Sequence, residues 1–533
     1  VGSPDLPTVT LTYEYDPDGD RTSMDDSLGG LVSYTYNNRD ELTNETLSGT
    51  GITAIAVANT FDNDGNMTGQ TRYSNLAETT EVAATSYTFD HAELMTGITD
   101  KNSSGTTLVS YGYTYDAAER VSQETRTWAS GSSTDTLTYG YTNNNQLTSV
   151  SHTNGSFSNE SFTYDDNGNE TGTGYTTTTG NEQTASPGYS YTYDADDDMI
   201  TMTQTSTGDV WTYSYNFRNL MTGAVEKTSG GTVLAQATFT YDALDNRIGT
   251  DENGTQTWTL YDGFDPVMDF NSSGSLEMRY LNGPTGDLVD TVIARESAGG
   301  TIAWYLPDRL GTIRDLINNS GSIIDHVDYS AFGTVLDESS PSSGDRMMGF
   351  AGMERDTTTG LNLAVNRAQN PGTGRWTGPD PDGFRAGDPN LFAYAFNNPA
   401  NLRDPSGEDV RLECTREAGG WHRRITVDVP GGGTISISLR PYNNWTALGP
   451  GFNGWTRREY GPPTKTVDTI HTTAEEDKEI ARLFLLLHGM PMHYNFVYPN
   501  CRTFSEDLFD RLKKYHQEYL KKKLLEIIPF LPL

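Results

Sequence analysis

The sequence predicts a mainly β fold: an array of stacked β-hairpins followed by a small α+β domain. Three observations predict it. Hydrophobic residues make up only 34% of the 533 residues, yet aromatics reach 11%, with 30 Tyr and 54 Gly. A long disordered chain is poor in aromatics, so this balance points to short, Tyr-rich strands separated by turns. A Tyr-Asp pair recurs along the first half of the chain. Finally, residues 1–407 carry a net charge of −37, whereas 408–533 carry +1. That step marks two different kinds of domain on one chain.

The pairs are Tyr15-Asp16, Phe61-Asp62, Phe89-Asp90, Tyr115-Asp116, Tyr164-Asp165, Tyr193-Asp194, Tyr241-Asp242 and Tyr261-Asp262, with weaker copies at Tyr36, Tyr141 and Tyr215. Successive copies lie 20 to 29 residues apart, a period that corresponds to one supersecondary unit per repeat. Tyr111-Gly-Tyr-Thr-Tyr alternates with period two, as a strand with one buried face does. Phe162-Thr-Tyr-Asp-Asp-Asn-Gly-Asn then supplies a turn that tolerates positive φ. Each repeat reads as a hairpin stacked on its neighbours. The Tyr-Asp pair reads first as a packing Tyr plus a turn Asp; carbohydrate contact is the functional alternative.

Composition excludes several classes. With 36 Lys+Arg against 72 Asp+Glu, the chain does not suit coating of nucleic acid or anionic membrane. No run of 18 apolar residues exists to span a membrane as a helix. Two cysteines, Cys414 and Cys501, cannot build a disulfide framework or a Cys-only zinc site. No cofactor motif is evident. The start, Val1-Gly-Ser-Pro-Asp, lacks a methionine and a signal region. It reads as a fragment of a secreted or surface protein without its export signal.

The recurrence over residues 8–300 resembles the YD repeats of the RHS (rearrangement hotspot) family. The resemblance implies a hollow, cocoon-like β-solenoid. From 301 to 407 the match becomes specific: Trp304-Tyr-Leu-Pro-Asp-Arg-Leu-Gly, Phe350-Ala-Gly-Met-Glu-Arg-Asp, Gly374-Arg-Trp-Thr-Gly-Pro-Asp and Tyr394-Ala-Phe-Asn-Asn-Pro. These resemble the RHS-associated core, which implies a plug for the shell and a border with a variable C-terminal payload. The expected domains are thus a shell over 1–300, the core over 301–407 and a payload over 408–533.

Two Asp-Pro-x-Gly elements stand at Asp380 and Asp404, with 19 residues between Phe384 and Asp404. On residues alone they are Asp-Pro turns. The family resemblance implies an internal aspartyl autoprotease that cuts just after the second element, around Gly407, Glu408 and Asp409. Two carboxylates held close resist joint ionisation, so one would stay protonated while the other activates water. The family usually has an apolar residue where this chain has Glu408.

In the tail, Trp421–Val429 and Thr434–Arg440 read as strands of a hairpin through Pro430-Gly-Gly-Gly433. Thr473-Ala-Glu-Glu476 caps a helix over 475–488. A strand at Tyr494–Tyr498 leads to Asn500-Cys501, at the first turn of a long helix. A thiol at that position meets free N–H groups and the positive end of the helix dipole, and both favour thiolate. Here the tail resembles circularly permuted papain-like cysteine hydrolases. By that resemblance Cys501 is the nucleophile and His422 the general base. A structural cysteine, or a disulfide with Cys414, remains the alternative reading.

Two functions follow. One is a polymorphic-toxin-like protein that encloses and releases a thiol hydrolase acting on an amide or ester. Its expected partners are an immunity protein and delivery machinery or a cell surface. The other is a secreted or surface structural protein, binding carbohydrate, with a non-catalytic tail. A nuclease payload fits less well, because the near-neutral tail carries no metal-type His/Asp cluster.

Overall fold

The computed structural model describes residues 6–408, except positions 18, 382, 385 and 387 and the stretches 129–132, 284–291 and 341–347. Beyond 408 it describes only the backbone of short strands at 411–412, 424–427, 435–439, 444–446 and 456–458. Cys501, His422, Asp409 and the expected tail helices lie outside the described residues. The backbone of Arg424–Val427 pairs antiparallel with Ile435–Leu439.

Among the described residues, β structure dominates and helix is confined to short 3₁₀ turns such as Phe350–Gly352 and Tyr394–Asn397. Two antiparallel sheets carry the repeats. The first holds thirteen strands from Leu11–Tyr15 to Glu160–Ser161, and the second holds sixteen from Thr176–Thr177 to Val335–Glu338. In both, every strand pairs with its neighbours in sequence. Each repeat therefore contacts the next, which is the geometry a period of 20 to 29 residues demands. The second sheet continues past residue 300 without interruption into the Trp304 strand.

The repeated residues explain the repeated unit. In Glu81–Phe89, Ala83, Thr85 and Tyr87 are buried while Ser86 and Thr88 are exposed, so period-two alternation sets one inward face. At the end of most such strands the register shifts just before the aromatic residue, as at Thr88/Phe89, Thr192/Tyr193 and Thr240/Tyr241. The bulge turns the tyrosine so that its hydroxyl reaches the preceding hairpin. Tyr115 donates to the Met95 carbonyl at 2.5 Å, Tyr141 to Val121 at 2.6 Å, Tyr215 to Met199 at 2.9 Å and Tyr241 to Met221 at 2.8 Å. In each case the acceptor opens the second strand of the hairpin before.

The aspartate is used just as locally. Asp90 Oδ1 accepts the N–H groups of Ala92 and Leu94, and Asp242 Oδ1 those of Leu244 and Asn246. The residue three places after the aspartate sits at positive φ, as in Glu93 (63°), Asp197 (65°) and Asp245 (69°). The carboxylate compensates this left-handed turn through hydrogen bonds. The Tyr-Asp pair is a packing and turn device, as the plainer reading of the sequence held.

The sheets share a core. Val57, Ile98 and Tyr111 of the first cluster with Met268, Trp304 and Ile317 of the second. Charges are buried there as well. Arg126 lies 2.7 Å from Glu124, which also accepts the Tyr139 hydroxyl at 2.7 Å. His326 bridges Asp315 (2.8 Å) and Asp328 (3.3 Å) and stacks on Trp128. Burial opposes charge on His326, but the hydrogen bonds to the two aspartates outweigh it and push its pKa up to about 10. The segment after 348 forms a small four-stranded sheet, Glu354–Arg355 to Arg375–Trp376. Phe350, Trp376 and Tyr394 pack on Leu137 and Leu147, whereas Leu361 and Leu363 pack on Tyr213 and Phe239. Arg247 anchors the same segment through Glu354 at 2.7 Å.

Candidate functional site

Asp380 and Asp404 meet on one guanidinium. Arg367 Nη2 lies 2.7 Å from Asp380 Oδ2 and 3.2 Å from Asp404 Oδ2. Arg367 sits just before the short strand Ala368–Asn370, and its side chain stacks over the Trp376 ring at 4.3 Å. Its Nη1 also donates to the Leu391 carbonyl at 3.2 Å. Asp404 is fully buried (0% exposed), and the Asp380 side chain is 9% exposed. The expectation that mutual repulsion keeps a proton on one of the two carboxylates omits this cation. A guanidinium bound to both offsets part of that repulsion.

The loop after Asp404 is tied to the same arginine. Asp404 Oδ1 accepts the Gly407 N–H at 2.8 Å and the Ser406 hydroxyl at 3.0 Å. The Gly407 carbonyl accepts a hydrogen bond from Arg367 Nε. Asn366 N–H donates to the Ser406 carbonyl at 2.9 Å, so the loop is held along its length. Gly407 has φ of 74°, and a Cβ there would meet the Arg367 backbone nitrogen at 2.9 Å. Only glycine both takes this conformation and allows this approach. Leu402–Arg403 pairs with Arg411–Leu412, so Asp404–Glu408 lies on the connection of an antiparallel pair.

A cavity of about 250 Å³ adjoins this loop. Asp380 and Glu408 line it, and so do Asp198, Arg218, Arg247 and Arg367. Asp404 does not line it. Among the predicted site residues, then, the structure brings Asp380, Asp404, Gly407 and Glu408 together. Sequence reasoning missed Arg367 and Asp198. Arg367 carried no spacing signal. Asp198 carried one, since it occupies the turn position held by Asn66, Asn169 and Asn246 in other repeats. Among the described residues, no three His, Cys, Asp or Glu side chains are grouped to hold a metal ion, and no helix is long and apolar enough to cross a membrane.

Comparison with known proteins agrees with this architecture. The tRNA3(Ser)-specific nuclease WapA of Bacillus spizizenii is 28% identical over 207 residues, 38% of this chain and 8% of that protein. Teneurin-3 of Danio rerio is 27% identical over 199 residues, 35% of this chain and 7% of that one. The chain thus matches under a tenth of the length of these relatives. Among solved structures, TcdB2-TccC3-TEV shares the fold over 75% of this chain and 21% of its own, with a TM-score of 0.50 at 15% identity. The Photorhabdus luminescens Tc holotoxin pore does so over 76% and 21%, with a TM-score of 0.51 at 15% identity. The family model described as Teneurin YD-shell matches residues 79–401, more than half of the sequence. The chain belongs to the teneurin YD-shell family.

Proposed function

We propose that this chain is the shell-and-release part of a toxin-like protein, which cuts itself after Glu408 to free its C-terminal segment. The observation that carries the reading is the convergence on Arg367 of Asp380, Asp404 and the Gly407 carbonyl. Asp380 faces the cavity and acts as the base that activates water. Asp404, buried and paired to Arg367, holds the Ser406-Gly407 turn and so presents the bond that follows. Arg367 fixes both carboxylates and the preceding carbonyl. Glu408, placed where the RHS family usually has an apolar residue, lies in a cavity whose wall includes three arginines, which suits an acidic side chain.

The freed segment is read as a thiol hydrolase with Cys501 as nucleophile and His422 as base, on the strength of the sequence motif alone. Similarity to WapA and to Tc toxin shells supports a secreted, delivered protein. The nuclease named for WapA belongs to that whole protein, and the payload here is proposed on its own residues.

The test follows the purified chain by intact mass. We expect a fragment ending at Glu408 in the wild type, and an uncut chain in Asp380→Asn and in Asp404→Asn. A wild-type chain that stays intact from pH 5 to 8 overturns the proteolytic reading. Separately, expression of residues 408–533 with and without Cys501→Ala tests the payload. Growth arrest that needs the thiol supports it, and equal growth removes it.

A further inference from the structure

Asp198 presents an unusual combination. It is 1% exposed, its Oδ1 has no hydrogen-bond partner among the described residues, and it lines the cavity shared by Asp380 and Glu408. A buried carboxyl oxygen without a donor costs stability, and such exceptions concentrate where a ligand or a proton is handled. The fold holds it there deliberately. Met199 N–H donates to the Thr377 carbonyl at 2.8 Å, which locks the Asp194–Asp198 turn onto the strand leading to Asp380. Gly378 lets Asp198 Oδ1 approach, because any Cβ at that position would collide with it.

Other repeats show what the position does when it is only structural. Asn169 Nδ2 donates to Asp165 Oδ2 at 3.1 Å, and Asn246 Nδ2 to Asp242 Oδ2 at 3.2 Å. Asparagine closes the turn on its own aspartate. At 198 an aspartate replaces it, which removes that bond and places a carboxyl beside Asp194.

This bears on the chemistry proposed above, on which the inference rests. Asp380 and Asp404 are both engaged by Arg367, and the departing amine needs a proton. We infer that Asp198 is the proton-holding residue of the release site, a third carboxyl from the repeat shell that supplies the acid the arginine-bound pair does not. The step balances. Water oxygen bonds to the Glu408 carbonyl carbon as Asp380 takes one water proton. The C–N bond breaks, and its electron pair takes the proton of Asp198. Asp380 then returns its proton to Asp198, leaving a new carboxyl and a free amine.

Electrostatics are consistent with this role. Burial, and then the charges of Asp194, Asp196 and Asp197, push the Asp198 carboxyl up to about 7. The charged groups sharing its cavity are Arg218, Asp245, Arg247, Arg367, Asp380 and Glu408, and Tyr215 also faces it. Arg218 is paired to Asp245, Arg247 to Glu354, and Arg367 to the two aspartates, so among the described residues each cation lining the cavity already has a carboxylate partner.

The decisive variant is Asp198→Asn, which restores the residue of the neighbouring repeats. We expect a chain at least as stable to heat as the wild type, with cleavage slowed tenfold or more at pH 6 and the loss of rate above pH 7 abolished. Asp198→Glu should recover part of the rate. If Asp198→Asn cleaves with the wild-type rate and pH profile, the role of Asp198 falls while the Asp380/Asp404 reading stands. If the wild type is not cleaved at any pH, both fall together.

Discussion

The repeat array and the core segment handle charge in opposite ways. In the array, Asp242 is satisfied by backbone N–H groups two and four residues away, and Tyr241 by a carbonyl of the adjoining hairpin. In the core segment, Arg367 serves Asp380, Asp404, Leu391 and Gly407 at once, and Glu354 holds Arg247 of the array, 107 residues earlier. Local satisfaction makes a unit that can be repeated, lost or altered with small consequences. Convergent satisfaction makes a unit in which one change disturbs every member. Chemistry sits more readily in the second kind, because its geometry is over-determined.

Removing the hub breaks the comparison most sharply. Arg367→Ala leaves two buried carboxylates without their cation, and we expect a loss of about 3–5 kcal/mol in denaturant unfolding together with loss of self-cleavage. Next comes the seam between the sheets. The pKa of His326 is raised in the folded chain, so its contribution is complete below about pH 6.5 and is lost as pH rises through about 10. Unfolding measured from pH 7 to 10 should show stability falling by up to about 1.4 kcal/mol per pH unit from this group, and His326→Gln should remove that slope.

Gly407→Ala is a smaller but more informative change. Positive φ alone costs an alanine about 1–2 kcal/mol, and contact with the Arg367 backbone adds to it. We expect modest destabilisation but a large fall in cleavage, since the turn presenting the bond must shift. The smallest effects belong to the array. Tyr241→Phe and Tyr215→Phe each remove one hydroxyl-to-carbonyl bond, worth about 1 kcal/mol. Their sum in the double variant should equal the separate losses. Marked non-additivity would mean that the repeats are coupled like the core.

Much of this was legible in the residues. The spacing of Tyr-Asp pairs set the hairpin period, and alternation in Tyr111–Tyr115 set the buried face, because both are local consequences of strand and turn geometry. The two Asp-Pro-x-Gly elements marked where a site would be sought. The sequence could not show that Asp380 and Asp404 meet, since 23 intervening residues leave their distance open. Nor could it show that an arginine stands between them, or that a carboxyl from a repeat nearly two hundred residues earlier enters the same cavity. By itself the sequence determined a stack of hairpins, a charge border at 407/408 and a set of candidate carboxylates. Only the tertiary structure decided which charges share a guanidinium and which is left without a partner. Turns and strand faces are set by neighbours in the chain, whereas the ionisation and partners of a buried group are set by whatever folding places around it.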